Sequence, residues 1–316
     1  MRAVSRYVAP MPDTVFSCLP LGTRLTVSSQ SSELIDAIQR SVGAYPPDVD
    51  VGGSLHIVAQ VIDDAPGDPA WPVVTATSTP DSLRIECGSA NVVLDHRTAT
   101  AHMALPRSLC EMPDALALLA EAVFTSLHVQ AGRLHAVHSA LVERDGVGLL
   151  LRGPSGAGKS TLTYACLRRG MTVVSDDWVY APARGEPGQV VGYPWRIMLT
   201  EQAASRFPEL AGVRPVPHPS EERRKLRIEP PVELQQVEAS VSAVVLLDPD
   251  PVLSLAPIEP EPARQRFWDA SLPTERDHLD DEWVRALLRR PTYLLRRGLD
   301  PDDAAARLDE LAASLR

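Results

Sequence analysis

Along this chain, apolar runs of four to eight residues, broken by Pro, Gly, Asp and Ser, alternate with a few longer periodic stretches. The short runs read as β-strands and the long ones as helices. Leu55 to Ile62, Ser82 to Cys87, Asn91 to Asp95 and Ala99 to Leu105 predict strands, with a helix over Ser32 to Val42 among the first of them. The pattern then changes: Pro113 to Gly132 is apolar on more than one face, as a buried helix is. Val147 to Leu151 (VGLLL) predicts a buried strand, Thr161 to Arg169 a helix stopped by Gly170, and Ser240 to Leu247 a further core strand. A strand (TYLLRR) and a well-marked helix end the chain, with Asp300 as N-cap, Pro301 at its first position, and Asp302 and Asp303 in its first turn. Between them, about Pro182 to Pro231 is irregular and rich in Pro, Arg, Glu and Gly, which predicts mobile loops around a site. The whole predicts an α/β protein with a β-rich α+β domain over 1–112 and a second domain over 113–316.

Composition narrows the function classes. A length of 316 residues with 44% hydrophobic content supports two domains with a real core. A net charge of −10 argues against nucleic acid as a partner, because phosphate-backbone binding needs clustered positive charge. No stretch approaches a membrane span and the N-terminus lacks a signal-peptide core, so the expectation is a cytoplasmic protein without a membrane partner. The four cysteines, Cys18, Cys87, Cys110 and Cys166, are scattered and read as small buried hydrophobes in a reduced compartment.

The chemistry starts at Gly153 to Ser160, GPSGAGKS, which fits G-x-x-x-x-G-K-[ST] and has the strand before it and the helix after it that a phosphate-binding P-loop requires. Gly153, Pro154, Ser155, Gly156, Ala157, Gly158, Lys159, Ser160 and Thr161 are the candidate nucleotide contacts. The glycines let the backbone turn tightly at a helix N-terminus, Lys159 reaches the β and γ phosphates, and Ser160 ligates Mg²⁺. Only two lysines occur in the chain, Lys159 and Lys225, so one of them stands where the loop needs a compact point charge. The only asparagine is Asn91, which excludes an N-K-x-D guanine-reading motif, and no L-S-G-G-Q-like signature follows.

What does follow is VVSDD, Val173 to Asp177, an apolar strand ending in two carboxylates. One of such a pair can help hold Mg²⁺ while the other takes the proton of an attacking hydroxyl. From VHSALVERDGVGLLLRGPSGAGKS through LRRGMTVVSDDWVY, residues 137–180, the sequence resembles the catalytic domain of HPr kinase/phosphorylase and the looser group of HPr-kinase-like P-loop kinases. Three features carry the resemblance jointly: His138, fifteen residues before Gly153; an R-G turn after the helix; and the Asp pair seventeen and eighteen residues after Lys159. It implies a P-loop kinase core of the HPr kinase C-terminal type, with Asp176 as general base, Asp177 at the metal and His138 beside the acidic pair or the γ-phosphate. ATP and Mg²⁺ are the implied cofactors. The family's E-I-R-G-x-G-type segment is replaced here by ARGEPGQVVGYPWRIMLT, Ala183 to Thr200, so HPr itself is not carried over as substrate.

The expected activity is transfer of the γ-phosphoryl group to a hydroxyl, most simply a serine of a peptide or protein. A kinase acting on free serine or a similar metabolite, and a non-catalytic nucleotide-binding module, stay open beside it, as does self-association. Arg224 and Lys225 in ERRKLR, and Arg196 in YPWRI, are weaker candidates for phosphate or substrate contact, against their reading as a solvated basic loop. The acidic run Glu275 to Trp283 reads as a solvated helix start.

Overall fold

The structure, a computed structural model, describes residues 14–39, 52–65, 74–79, 81–184, 187–216 and 225–316. These fall into two compact units, one of 14–39 and 53–127, the other of 128–316 with Gly52. The change of pattern at Pro113 puts the division at 112/113; the two units divide at 127/128.

The first unit carries strands β1 (Thr14–Cys18), β2 (Arg24–Ser29), β3 (Ser54–Ile62), β4 (Val74–Ser78), β5 (Ser82–Cys87), β6 (Ala90–Asp95) and β7 (Thr100–Pro106). Its helices are α1 (Ser32–Ile38), α2 (Arg107–Cys110) and most of α3 (Pro113–Gln130). One sheet runs in the order β1-β2-β3-β7-β6-β5-β4, parallel at β2/β3 and β3/β7 and antiparallel elsewhere. On β3, Leu55, Ile57 and Ala59 are buried and His56 and Gln60 are exposed, the two-residue alternation of a sheet with one covered face. Leu34, Ile35 and Ile38 of α1 are buried too, and Ser31 caps that helix by accepting the Leu34 N–H.

The second unit begins with β8 (Leu134–Val137), β9 (Ser139–Arg144), β10 (Val147–Arg152), α4 (Lys159–Arg168), β11 (Thr172–Ser175), β12 (Val179–Pro182) and β13 (Gln189–Gly192). It continues through β14 (Ile197–Thr200), α5 (Glu201–Ala204), β15 (Lys225–Ile228), β16 (Glu238–Asp248), β17 (Ser254–Pro257), α6 (Pro260–Asp269), α7 (Pro273–Arg276), α8 (Asp281–Leu287), β18 (Thr292–Arg296) and α9 (Pro301–Ser314). The main sheet runs β11-β9-β10-β16-β13-β12-β8, and β18 joins it beside β16 with β17 outside. β16 runs parallel to both β10 and β18, which flank it. Leu149 and Leu151 pack into one cluster with α4 and α9, while Leu150 packs into another with Phe267, Val284 and Leu287 from α6 and α8. With both faces covered, β10 must be apolar at successive positions, which is why VGLLL does not alternate.

The segment expected as mobile loops from Pro182 to Pro231 is folded over much of its described length. β13 pairs with β12 and β16, and β14 pairs with β15 in a small sheet of its own. Its strands are four residues long and pair with distant partners, so their periodicity is too short to register. Among the described residues no helix is long and apolar enough to cross a membrane. Cys18, Cys110 and Cys166 are free thiols, and only Cys166 is fully buried; the other two are half-buried, short of the expectation. The side chain of Cys87 lies outside the described residues.

Candidate active site

The site is built where β10 turns into α4. Gly156 and Gly158 have φ of 83° and 97°, left-handed values that side chains resist, and Gly158 is the N-cap of α4. A Cβ on Gly153 would stand 2.9 Å from the Ala157 Cβ, so the loop closes on itself only with glycine there. Lys159 folds back over this turn, its Nζ donating to the carbonyl of Gly153 at 2.8 Å. Burial pushes the ammonium down to about 8; the Asp177 charge pulls it back up, Arg152 pushes it further down, and Asp176 and Glu275 favour its charged form. Pro154, Ser155 and Gly156 are exposed at the loop tip, and Ser160 and Thr161 are half-buried in the first turn of α4.

The two carboxylates after β11 stand in different surroundings. Asp176 is 4% exposed, and its Oδ2 accepts the Met198 N–H at 2.9 Å. Burial pushes its carboxyl up to about 7; the Met198 amide pulls down, the Asp177 charge adds to the rise, and the Ser160 hydroxyl and Lys225 favour the charged form. Its Oδ1 is buried without a hydrogen-bond partner. An orphaned carboxylate oxygen beside a serine hydroxyl at a glycine-rich strand-to-helix turn suits a hard, oxygen-liking divalent cation.

Asp177 instead presents 58% of its side chain to solvent, and its Oδ1 lies 3.1 Å from His138 Nε2. The protein crowding around it raises its pKa, but the His138 hydrogen bond and charge, then Lys225 and Arg196, outweigh this and hold it below the usual range. The His138 ring also packs on Trp178, with centroids 5.4 Å apart.

Lys225 and Arg196 therefore belong to this cluster electrostatically. Lys225 starts β15 opposite Thr200, and Arg196 lies over the Trp195 ring at 4.2 Å. Reading them as a solvated basic loop fails for a topological reason: the β14/β15 pair brings both toward the carboxylates, and nothing in the local sequence announces that pairing. Arg224 lies outside the described residues.

The acidic run is also corrected. Glu275 is 2% exposed and makes a 2.7 Å ion pair with Arg152, itself wholly buried, while Trp283 is 7% exposed. Arg152, Glu275, Met198 and Trp178 are the parts of the site that sequence reasoning missed. The one usable signal was the arginine at the end of an otherwise apolar buried strand. Arg297 is a further omission, its guanidinium so near that a Cβ on Gly158 would lie 3.2 Å from Nε.

No protein-family model matches the chain. It is 38% identical over 76 residues to an HPr kinase/phosphorylase of Shouchella clausii and 38% over 73 residues to one of Streptococcus thermophilus, covering 24% and 23% of each chain respectively. A third, from Limosilactobacillus reuteri, is 43% identical over 51 residues, 16% of either chain. The matches thus span about a quarter or less of the length of these relatives. A solved structure, the Hpr(Ser) kinase/phosphatase from Coxiella burnetii, aligns over 57% of this chain and 97% of its own at 14% identity and a TM-score of 0.31. Over the matched stretch, the chain is HPr-kinase-like in sequence.

Proposed function

We propose that this protein is an ATP- and Mg²⁺-dependent kinase that phosphorylates a serine hydroxyl carried by a peptide or protein. The observation that carries the reading is the 3.1 Å contact between His138 and a solvent-facing Asp177, next to a P-loop whose Lys159 and Ser160 adjoin Asp176.

Exposure supports exchanging the roles expected of the pair. A base must reach the proton it takes, and Asp177 opens to solvent while Asp176 does not. In this reading the acceptor O–H meets Asp177, whose orientation His138 holds. The hydroxyl oxygen forms a bond to the γ-phosphorus as the bond from that phosphorus to the β–γ bridging oxygen breaks, leaving ADP. The proton passes to Asp177 and then to water. Lys159 turns from the Gly153 carbonyl to the phosphates, and Lys225 and Arg196 add positive charge on the acceptor side. Mg²⁺ held by Ser160 and Asp176 would neutralise phosphate charge. The β-rich unit before residue 128 would recognise the polypeptide that carries the serine.

The test is to incubate the protein with γ-labelled ATP, Mg²⁺ and size-fractionated host extract. Label should reach polypeptide, and Asp177→Asn should lower the transfer rate by about 10²- to 10⁴-fold with ATP affinity kept. Lys159→Ala should weaken both. Label on a small molecule instead identifies a metabolite kinase, and phosphate release alone overturns the kinase reading. If Asp176→Asn abolishes transfer while Mg²⁺-dependent ATP binding is kept, and Asp177→Asn does not abolish it, the exchange of roles is wrong.

A further inference from the structure

His138 sits where the chain leaves β8, which pairs with β12, for β9, which pairs with β10 and β11. At such a crossing the main chain has no continuous ladder to hold its polar groups. Here both are taken by one buried ion pair. The His138 N–H donates to Glu275 Oε1 at 2.9 Å, and its carbonyl accepts from Arg152 Nη1 at 3.0 Å. Arg152 Nη1 also bonds Glu275 Oε1 at 2.7 Å, and Nη2 bonds the Ser271 hydroxyl at 2.6 Å and the Phe267 carbonyl at 3.2 Å. Its guanidinium lies 4.3 Å from the Phe267 ring centre, and Glu275 Oε2 accepts the Leu272 N–H at 2.7 Å.

Both charged side chains are 0% exposed, so neither touches a substrate. Burying such a pair is a poor way to gain stability, since apolar residues of like volume often do as well. What the pair does supply is a fixed backbone at the residue whose ring reaches Asp177. It also joins that residue to the loop, because Arg152 immediately precedes Gly153, whose carbonyl holds Lys159.

We infer that Arg152 and Glu275 form a positioning pair that sets the His138 ring against Asp177 and couples it to the P-loop. The inference rests on the kinase reading for its kinetic consequence, but not for its structural one.

The experiment replaces the pair together, Arg152→Met/Glu275→Leu, which leaves no unpaired buried charge. A folded double variant should keep ATP affinity while its transfer rate falls about 10- to 100-fold, the size of effect seen when supporting groups are removed. In a His138→Ala background the same double change should cost little more, because it acts through that ring. In ¹⁵N-histidine-labelled protein, the His138 ring signals, assigned by their loss in His138→Ala, should move while nucleotide is absent. Wild-type transfer rate together with unmoved signals in a folded double variant overturns the inference. If the double variant does not fold, Ser271→Ala replaces it: removing one arm of the fork should give a smaller drop that vanishes without His138, and an unchanged rate and spectrum overturns the inference. If wild type transfers no phosphate, the kinase reading fails, and the ring signals still decide the positioning.

Discussion

Asp176 is an acid kept from water, and its folded-state pKa of about 7 lies above the 3.8 of an ordinary aspartate. Below pH ~4 both folded and unfolded chains hold that proton; as pH rises, the unfolded chain releases it first, so stability falls between about pH 4 and 7. Asp176→Asn should flatten that one-proton slope and raise the stability of the nucleotide-free protein at pH 7, which urea unfolding at several pH values reads directly. An unchanged slope would mean that some other group titrates there. Gly158 at φ 97° predicts that Gly158→Ala costs about 1–2 kcal/mol of strain, with Arg297 crowding the new methyl, and lowers nucleotide affinity. The loop glycines, Lys159 and the Asp pair were legible because their spacing is local. Glu275 was not: its partner is 123 residues away, and a run of acids looks solvated when read alone.

At the level of elements, what the sequence announced best was ended by strong local chemistry. Helix α9 begins as read, with the Asp300 side chain accepting the Asp302 N–H at 2.9 Å. It packs on α4 through buried Ala304, Ala305, Leu308 and Ala312, and Asp302 binds Arg168 of α4 at 2.6 Å. Asp300→Ala should therefore cost about 1 kcal/mol. It should also speed amide hydrogen exchange in the last turns of α4; exchange confined to α9 would show that the two helices are energetically separate. β14 and β15 stayed unread because four-residue strands carry too few positions to show a period, and their pairing spans a proline-rich stretch.

For the whole molecule, every candidate site residue lies between His138 and Arg297, inside the second unit. A fragment of 128–316 should therefore bind a fluorescent ATP analogue within a few-fold of the full chain's affinity, measured by titration, while transfer to a polypeptide should drop. Fragment binding lost beyond tenfold would assign the first unit a share in holding nucleotide. The α/β class was readable from the chain, whereas the break at 127/128 was not, because α3 is apolar on more than one face and gives no sign of which core it joins.

The Arg152–Glu275 pair has a further consequence during synthesis. A chain is made from its N-terminus at roughly 5–20 residues per second, and contacts distant in sequence close late. The P-loop is complete at Ser160, yet Arg152 has no counter-charge until residue 275 emerges. A growing chain on the ribosome thus carries Arg152 still open to water, because Phe267 and Ser271, which cover it, come as late as Glu275 does. The His138 backbone should stay unfixed until most of the chain has been translated.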